Sequence, residues 1–172
     1  MMSNRHSQGT VKVRLALWPE DEPRIHEIRN AVFVKEQGVP ANLEWDGKDP
    51  ACLHVMAELF DGAKRDAVGT GRIMPNGKIG RMAVLGKYRG KGIGGEILAA
   101  LVEAARARGQ HDVYLHAQSH ALAFYQRFGF VADGEEFQEA GIPHRKMHRN
   151  IEHAKQQNEQ NTNQRPQGDI GS

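Results

Sequence analysis

The chain has 172 residues, 39% of them hydrophobic, and a formal charge of +2 with acids and bases interleaved along its length. That size suits one domain, and the lack of a clustered basic field argues against a nucleic-acid or membrane surface. No apolar run approaches the ~20 residues that span a bilayer, no signal-like segment precedes the fold, and the single Cys52 cannot form an internal disulfide, so a cytoplasmic protein is expected.

Residues 1–9 hold no apolar run and read as a loose arm. The segment Val11–Leu17 alternates apolar and polar residues at its start and reads as a strand. Pro19 to Pro23 make an acidic helix entry. Ile25, Ile28, Arg29, Val32 and Phe33 follow at helical spacing up to the Gly38-Val39-Pro40 break. Ala41 to Ala51 is polar, with Trp45 and several acids, and predicts a loop or short helix over one edge. Three strands come next: Leu53–Phe60, Ala67–Met74 after an Asp61-Gly62 turn, and Lys78–Val84 after Pro75-Asn76-Gly77. Short turns make them an antiparallel meander.

The pattern then changes. A glycine-rich run, Arg89-Gly90-Lys91-Gly92-Ile93-Gly94-Gly95, leads into the apolar helical stripe Ile97, Leu98, Leu101, Val102, Ala105, which ends near Gly109. Val113–Ala117 is a fifth strand, parallel to the fourth if the helix is a crossover. A shorter helix runs from His120 to Phe128, and the last strands begin at Phe130. Residues 10–150 form the predicted domain. Residues 151–172 are rich in Gln, Asn, Glu, Gly and Pro, too polar to order themselves.

The glycine run predicts a phosphate-bearing ligand. Its backbone N–H groups can turn inward at a helix start, and Arg89 and Lys91 add charge. Gly90-x-Gly92-x-x-Gly95 satisfies a dinucleotide pattern. However, the next strand ends in Leu115-His116-Ala117-Gln118 with no acid for a ribose, and it follows a meander rather than a parallel half-domain. No Gly-Lys-Ser/Thr occurs, which excludes a Walker loop.

Arg89-x-x-Gly92-x-Gly94 after the fourth strand, followed by Ala123-Phe124-Tyr125-Gln126-Arg127-Phe128-Gly129-Phe130, resembles the GNAT acyl-CoA N-acyltransferase superfamily over roughly Val11 to Arg149. Further pieces resemble its ElaA-like branch. They are Arg29-x-x-Val32-Phe33-Val34-x-Glu36-Gln37, Glu44-Trp45-Asp46 with Asp49 and His54, Ala117-Gln118, and Gly141-Ile142-Pro143-His144 with Met147. The resemblance implies an α/β (α+β) fold: a mixed, mostly antiparallel sheet of six or seven strands flanked by helices, splayed between strands four and five. It implies acetyl-CoA as co-substrate in that gap, with pantetheine pairing to the backbone of Met82, Ala83 and Val84. The pyrophosphate would lie on Arg89, Gly90, Lys91, Gly92, Ile93, Gly94 and Gly95. Gln118 stands where many members carry asparagine, and it offers a similar amide contact.

Acyl transfer to an amine needs a neutral nucleophile, a stabilised oxyanion and a proton for the departing thiolate. By resemblance, Tyr125 lies near the CoA sulfur and supplies that proton; packing among Phe124, Phe128 and Phe130 is the other reading. The backbone N–H of Ala83 or Val84 is the expected oxyanion donor. Candidate bases are Glu36, Glu44, Asp46, His54 and His116, with Glu36 and His116 ahead of the others. His144 and His148 share a face near His153, but no third ligand of fixed geometry is evident and no metal is expected. The function so predicted is direct transfer of an acetyl group to a small amine or a peptide or protein amine, by a monomer or homodimer. A silent acyl-CoA-binding module is the alternative.

Overall fold

The computed structural model describes residues 9–152. The expectations for an N-terminal arm and a C-terminal tail lie almost wholly outside them. One sheet of seven strands organises the chain in the order β1-β2-β3-β4-β5-β7-β6. The strands are β1 (Thr10–Leu15), β2 (Leu53–Asp61), β3 (Lys64–Ile73), β4 (Lys78–Val84), β5 (Asp112–Gln118), β6 (Val131–Glu139) and β7 (Ile142–Asn150). Every neighbouring pair is antiparallel except β4–β5, so the sheet is mixed, as predicted.

The parallel pair is short. Lys78 faces Tyr114 and Ile79 faces Leu115, and pairing stops there. Beyond it the strands part. A bulge contributes: the β3–β4 register shifts between Thr70 and Arg72, and Arg81 takes φ 51°. A side chain other than glycine pays a steric cost in that left-handed region, and a bulge increases the local twist. This bend opens the far half of β4 away from β5.

Helix α3 (Ile93–Ala107) covers one face of the sheet. Its buried stripe Ile97, Leu98, Leu101, Val102 and Ala105 is the predicted one, and fully burying each larger side chain is worth roughly 1.5–3 kcal/mol. The helix sits close because Gly69 and Gly71 offer no Cβ; one added there would lie 2.8–2.9 Å from Ile97 and Leu101. Gly109, at φ 76°, ends it, with Gly109 N–H donating to the Arg106 carbonyl and Gln110 N–H to that of Ala105.

Helix α1 (Glu22–Arg29) packs on the opposite face, where Ile28 and Val32 meet Ala83. It continues without a break into a wider π-helical turn over Asn30–Glu36, with Gln37 N–H reaching back to the Val32 carbonyl. Such turns are uncommon and gather at functional sites. Here it swings Glu36 and Gln37 over the splay. The polar segment after it forms α2 (Ala41–Glu44) and a single 3₁₀ turn at Asp49–Ala51. Helix α4 (Leu122–Arg127) follows β5. No described helix is long and apolar enough to cross a membrane.

Candidate active site

A cavity of about 530 Å³ opens beside the splay, lined by β4 (Met82, Ala83, Val84), the glycine loop, the start of α3, and Ala121, Phe124, Tyr125 and Arg127. Most residues predicted for the donor ligand therefore meet at one place. The glycines divide by role. Gly90 and Gly92 take φ 78° and 80° with open space around their Cα atoms, so they set the shape of the loop. Gly94 and Gly95 serve packing: an added Cβ would lie 3.4 Å from Phe124 and 2.5 Å from Phe128. Their small size lets the α3 N-terminus rest on the α4 rings.

Strand alternation sorts the β4 backbone. Leu85 N–H donates to the Val68 carbonyl at 2.9 Å, so Ala83, two residues earlier, also turns its backbone groups toward β3. Val84 turns its groups toward the splay, where Arg89 takes its carbonyl. The expectation that Ala83 N–H serves as oxyanion donor does not fit this alternation, because that group belongs to the β3 ladder.

Arg89 lines the cavity, but its guanidinium is already taken. Its guanidinium takes the Glu36 carboxylate at 2.5 and 2.8 Å and donates to the Val84 carbonyl at 2.9 Å. The Arg89 hydrogen bond in turn holds the Glu36 carboxyl below the usual carboxylate range, which weakens it as a proton acceptor. Lys91 is exposed, 5.9 Å from the Tyr88 ring centroid. Arg127 is a cavity cation that sequence reasoning did not single out. Ala121, Phe124 and Arg127 recur every three residues, the spacing of one helical face, and that was the available signal.

Tyr125 lies between the two halves of the site. Its hydroxyl donates to Met82 Sδ at 3.8 Å, and its ring meets Phe124 and Phe130 edge-on. Burial pushes its pKa up to about 12, so the phenol carries its proton at neutral pH. Gln118 donates to Gln37 Oε1 at 2.9 Å, bridging β5 to the end of the π-helical turn.

The remaining candidate bases separate into two groups. Glu44, Asp46 and Asp49 belong to a charge network on the α1 face with Arg29, Arg72 and Arg81. Arg29 holds Glu44 and Asp49 at 2.7 Å each, and Arg72 holds Asp49 at 2.7 Å and Asp46 at 2.5 Å. Arg81 reaches Glu44 at 3.2 Å. Burial alone would raise the Asp46 and Asp49 carboxyls, but the arginines hold both well below their ordinary value. His54 is buried, stacked on Trp18 and tied to the Asp49 carbonyl, and burial lowers its pKa. The polar segment read as a loop or short helix over one edge does form a short helix, and it turns Glu44 and Asp49 inward to this network.

His116 stands apart from that block. It is the first β5 residue past the last β4–β5 pair, on the face away from α3, since Leu115 and Ala117 on either side enter the α3 core. Its Nδ1 lies 3.1 Å from Glu139 Oε1. Cys52 is buried, and burial raises its thiol pKa. His144 Nδ1 contacts the Ile142 carbonyl, and among the described residues no group of three His, Cys, Asp or Glu is gathered for a metal.

Residues 28–151 match the model of the acetyltransferase (GNAT) domain. The chain belongs to the GNAT acetyltransferase family. It is 40% identical over 122 residues to the uncharacterised N-acetyltransferase YjcF of Bacillus subtilis, covering 70% of this chain and 86% of that one. The crystal structure of Escherichia coli ElaA superposes with a TM-score of 0.69 at 29% identity, over 81% of this chain and 99% of ElaA. An acyl-CoA N-acyltransferase from Pseudomonas aeruginosa gives 0.68 at 30% identity, over 82% and 99%. The GNAT fold predicted from the two sequence motifs is therefore the fold observed, with β4 and β5 parallel and then parted.

Proposed function

We propose that this GNAT protein moves an acetyl group from acetyl-CoA directly to a primary amine, both substrates bound together. The observation that carries this reading is the cavity in which the glycine loop, the released edge of β4 and the Tyr125 hydroxyl converge. The residues present fit the donor. Gly90 and Gly92 leave the loop N–H groups open to a pyrophosphate, and Lys91 and Arg127 add charge that no ion pair among the described residues takes up. The β4 edge suits an extended, amide-bearing chain as an added strand.

The thioester is already activated, so proximity provides much of the rate. The Met82 or Val84 N–H stabilises negative charge on the carbonyl oxygen, and the neutral Tyr125 phenol gives its proton to the departing sulfur. The acceptor approaches from the α1 face, between Gln37, Gln118 and His116. His116 serves as base. Glu36 keeps a positioning role, because its ion pair with Arg89 joins the π-helical turn to the β4 terminus.

The test is release of CoA thiol from the acetyl-CoA-loaded full chain across a panel of amines, including amino acids, polyamines, amino sugars and short peptides. Release with at least one acceptor is expected. Tight acetyl-CoA binding without release across the panel would overturn the proposal and favour a silent acyl-CoA-binding module.

A further inference from the structure

Glu139 is absent from the sequence-based list of site residues, yet it is built into the splay apex. It ends β6 at a two-residue turn, Ala140-Gly141, whose φ values of 51° and 73° are both in the left-handed region. Two positive values mark the tight hairpin turn that suits strand twist. Ala140 adopts that conformation at a steric cost glycine would not incur. The turn delivers the Glu139 carboxylate between two imidazoles: Oε1 lies 3.1 Å from His116 Nδ1 and Oε2 lies 3.6 Å from His144 Nε2. Phe137 closes the group, edge-on to His116 at 5.0 Å and stacked on His144 at 6.0 Å.

A carboxylate on Nδ1 has a defined chemical effect. It favours the tautomer with the proton on Nδ1, leaves Nε2 as the acceptor, and stabilises the imidazolium that forms when Nε2 takes a proton. Burial alone would raise the Glu139 pKa, but the His116 hydrogen bond together with the charges of His116, Lys78 and His144 lowers it below the ordinary value and keeps the carboxyl ionised. The other charged or titratable groups around the imidazole are His144 and Lys146 on β7, Lys78 on β4 and Tyr114 on β5. Lys78 is half-buried, and that burial lowers its pKa; it sits close enough to feel Glu139. Glu139 is the carboxylate that contacts His116.

We infer that Glu139 is the positioning residue that makes His116 the general base for the acceptor. The inference rests on the acetyl-transfer reading above. In the step, an acceptor ammonium loses a proton to His116 Nε2, and the freed nitrogen lone pair bonds to the thioester carbonyl carbon. The C–S bond breaks, and the sulfur keeps its electron pair and receives a proton from Tyr125. The new amide nitrogen gives up its second proton, which restores the Tyr125 phenol, and His116 returns the first proton to solvent. Nothing is oxidised or reduced.

Two small acceptors separate this role from a structural one. Ethylamine is an ammonium at neutral pH and needs a base; 2,2,2-trifluoroethylamine is largely neutral and needs one far less. With the full chain and acetyl-CoA, His116→Ala should slow thiol release to ethylamine roughly 10²-fold or more, and Glu139→Gln about tenfold. Release to trifluoroethylamine should fall much less in both, and acetyl-CoA affinity by calorimetry should hold within about twofold. Nitrogen NMR of the imidazoles should find neutral His116 protonated on Nδ1, and this preference should weaken in Glu139→Gln. Wild-type release that is equally unaffected by both variants, or a His116 protonated on Nε2, overturns the inference and leaves acetyl transfer standing. No wild-type release with either small amine or with any amine of the panel overturns both readings.

Discussion

The Glu36 carboxylate grips the Arg89 guanidinium through two hydrogen bonds of 2.5 and 2.8 Å, across 53 positions of sequence. The pair ties the end of the π-helical turn to the point where β4 gives way to the glycine loop. Arg89 also holds the Val84 carbonyl, so one side chain sets the spacing between the π-helical turn and the free edge of β4. Replacing Glu36 with Gln should therefore weaken acetyl-CoA binding a few-fold, because Arg89 loses its anchor. Turnover at saturation should change by less than about threefold. A loss of 10²-fold or more in kcat, the size expected of a general base, would return Glu36 to the chemistry.

Tyr125 offers a sharper split between binding and chemistry. Among the described residues its hydroxyl contacts Met82 Sδ alone, at long range, so Tyr125→Phe removes little ground-state binding. Acetyl-CoA affinity should hold within about threefold while kcat falls roughly 10–100-fold, because only the proton donor is lost. Isothermal calorimetry and steady-state thiol release measure the two quantities. Equal losses in both would assign the ring to packing.

The two glycine pairs predict opposite failures. At Gly92 a side chain meets no neighbour, but φ 80° strains any residue with a Cβ. Gly92→Val should abolish acetyl-CoA binding and lower the melting temperature only modestly. At Gly95 a Cβ would lie 2.5 Å from Phe128, so Gly95→Val should force α3 off α4 and cost about 1–3 kcal/mol of stability by overpacking. Thermal melts with and without acetyl-CoA distinguish the two.

The ionic block on the α1 face should be intolerant of single changes. Arg29 is 1% exposed and Glu44 is 2% exposed. Arg29→Met leaves Glu44 and Asp49 with less compensation, and breaking a buried pair from one side typically costs about 3–5 kcal/mol. Urea denaturation should show a loss of that order with no change in the slope.

Acid should expose a second cluster. Glu58 is buried and accepts from Arg14, Arg24 and Arg65 at 2.5–2.9 Å. Burial opposes ionisation, yet the three guanidiniums lower its pKa to about 2. A depressed carboxyl stabilises the fold above its unfolded value, and that contribution fades as pH falls from the ordinary glutamate range toward 2. Glu58→Gln should flatten this part of the stability profile, read by denaturant midpoints between about pH 5 and pH 2.

Locally encoded features were legible in the residues. Strand alternation, the Asn76-Gly77 turn and the α3 stripe depend on neighbours a few positions apart, and β4 spans the predicted Lys78–Val84. The glycine loop and the Tyr125 motif, taken in order, carried the family. Boundaries moved where charge misled. Strand β3 starts at Lys64 because an exposed hairpin end can solvate Lys64 and Arg65 while their backbone pairs with β2. Glu44 and Asp49 lie in a segment read only as polar, yet arginines from α1 and β3 pair with them in the interior.

By itself the sequence determined the order of elements, the glycine loop and the phenol beside it, because each is specified by residues within one or two turns of chain. The tertiary structure decided how long-range partners were allotted. Arg89 could serve a phosphate or a carboxylate, and only the path of the π-helical turn brings Glu36 to it. His116 could be one histidine among nine, until the Ala140-Gly141 turn places Glu139 on its Nδ1. Charge pairing acts at about 3 Å whatever the separation in sequence, so those choices appear only once the chain is folded.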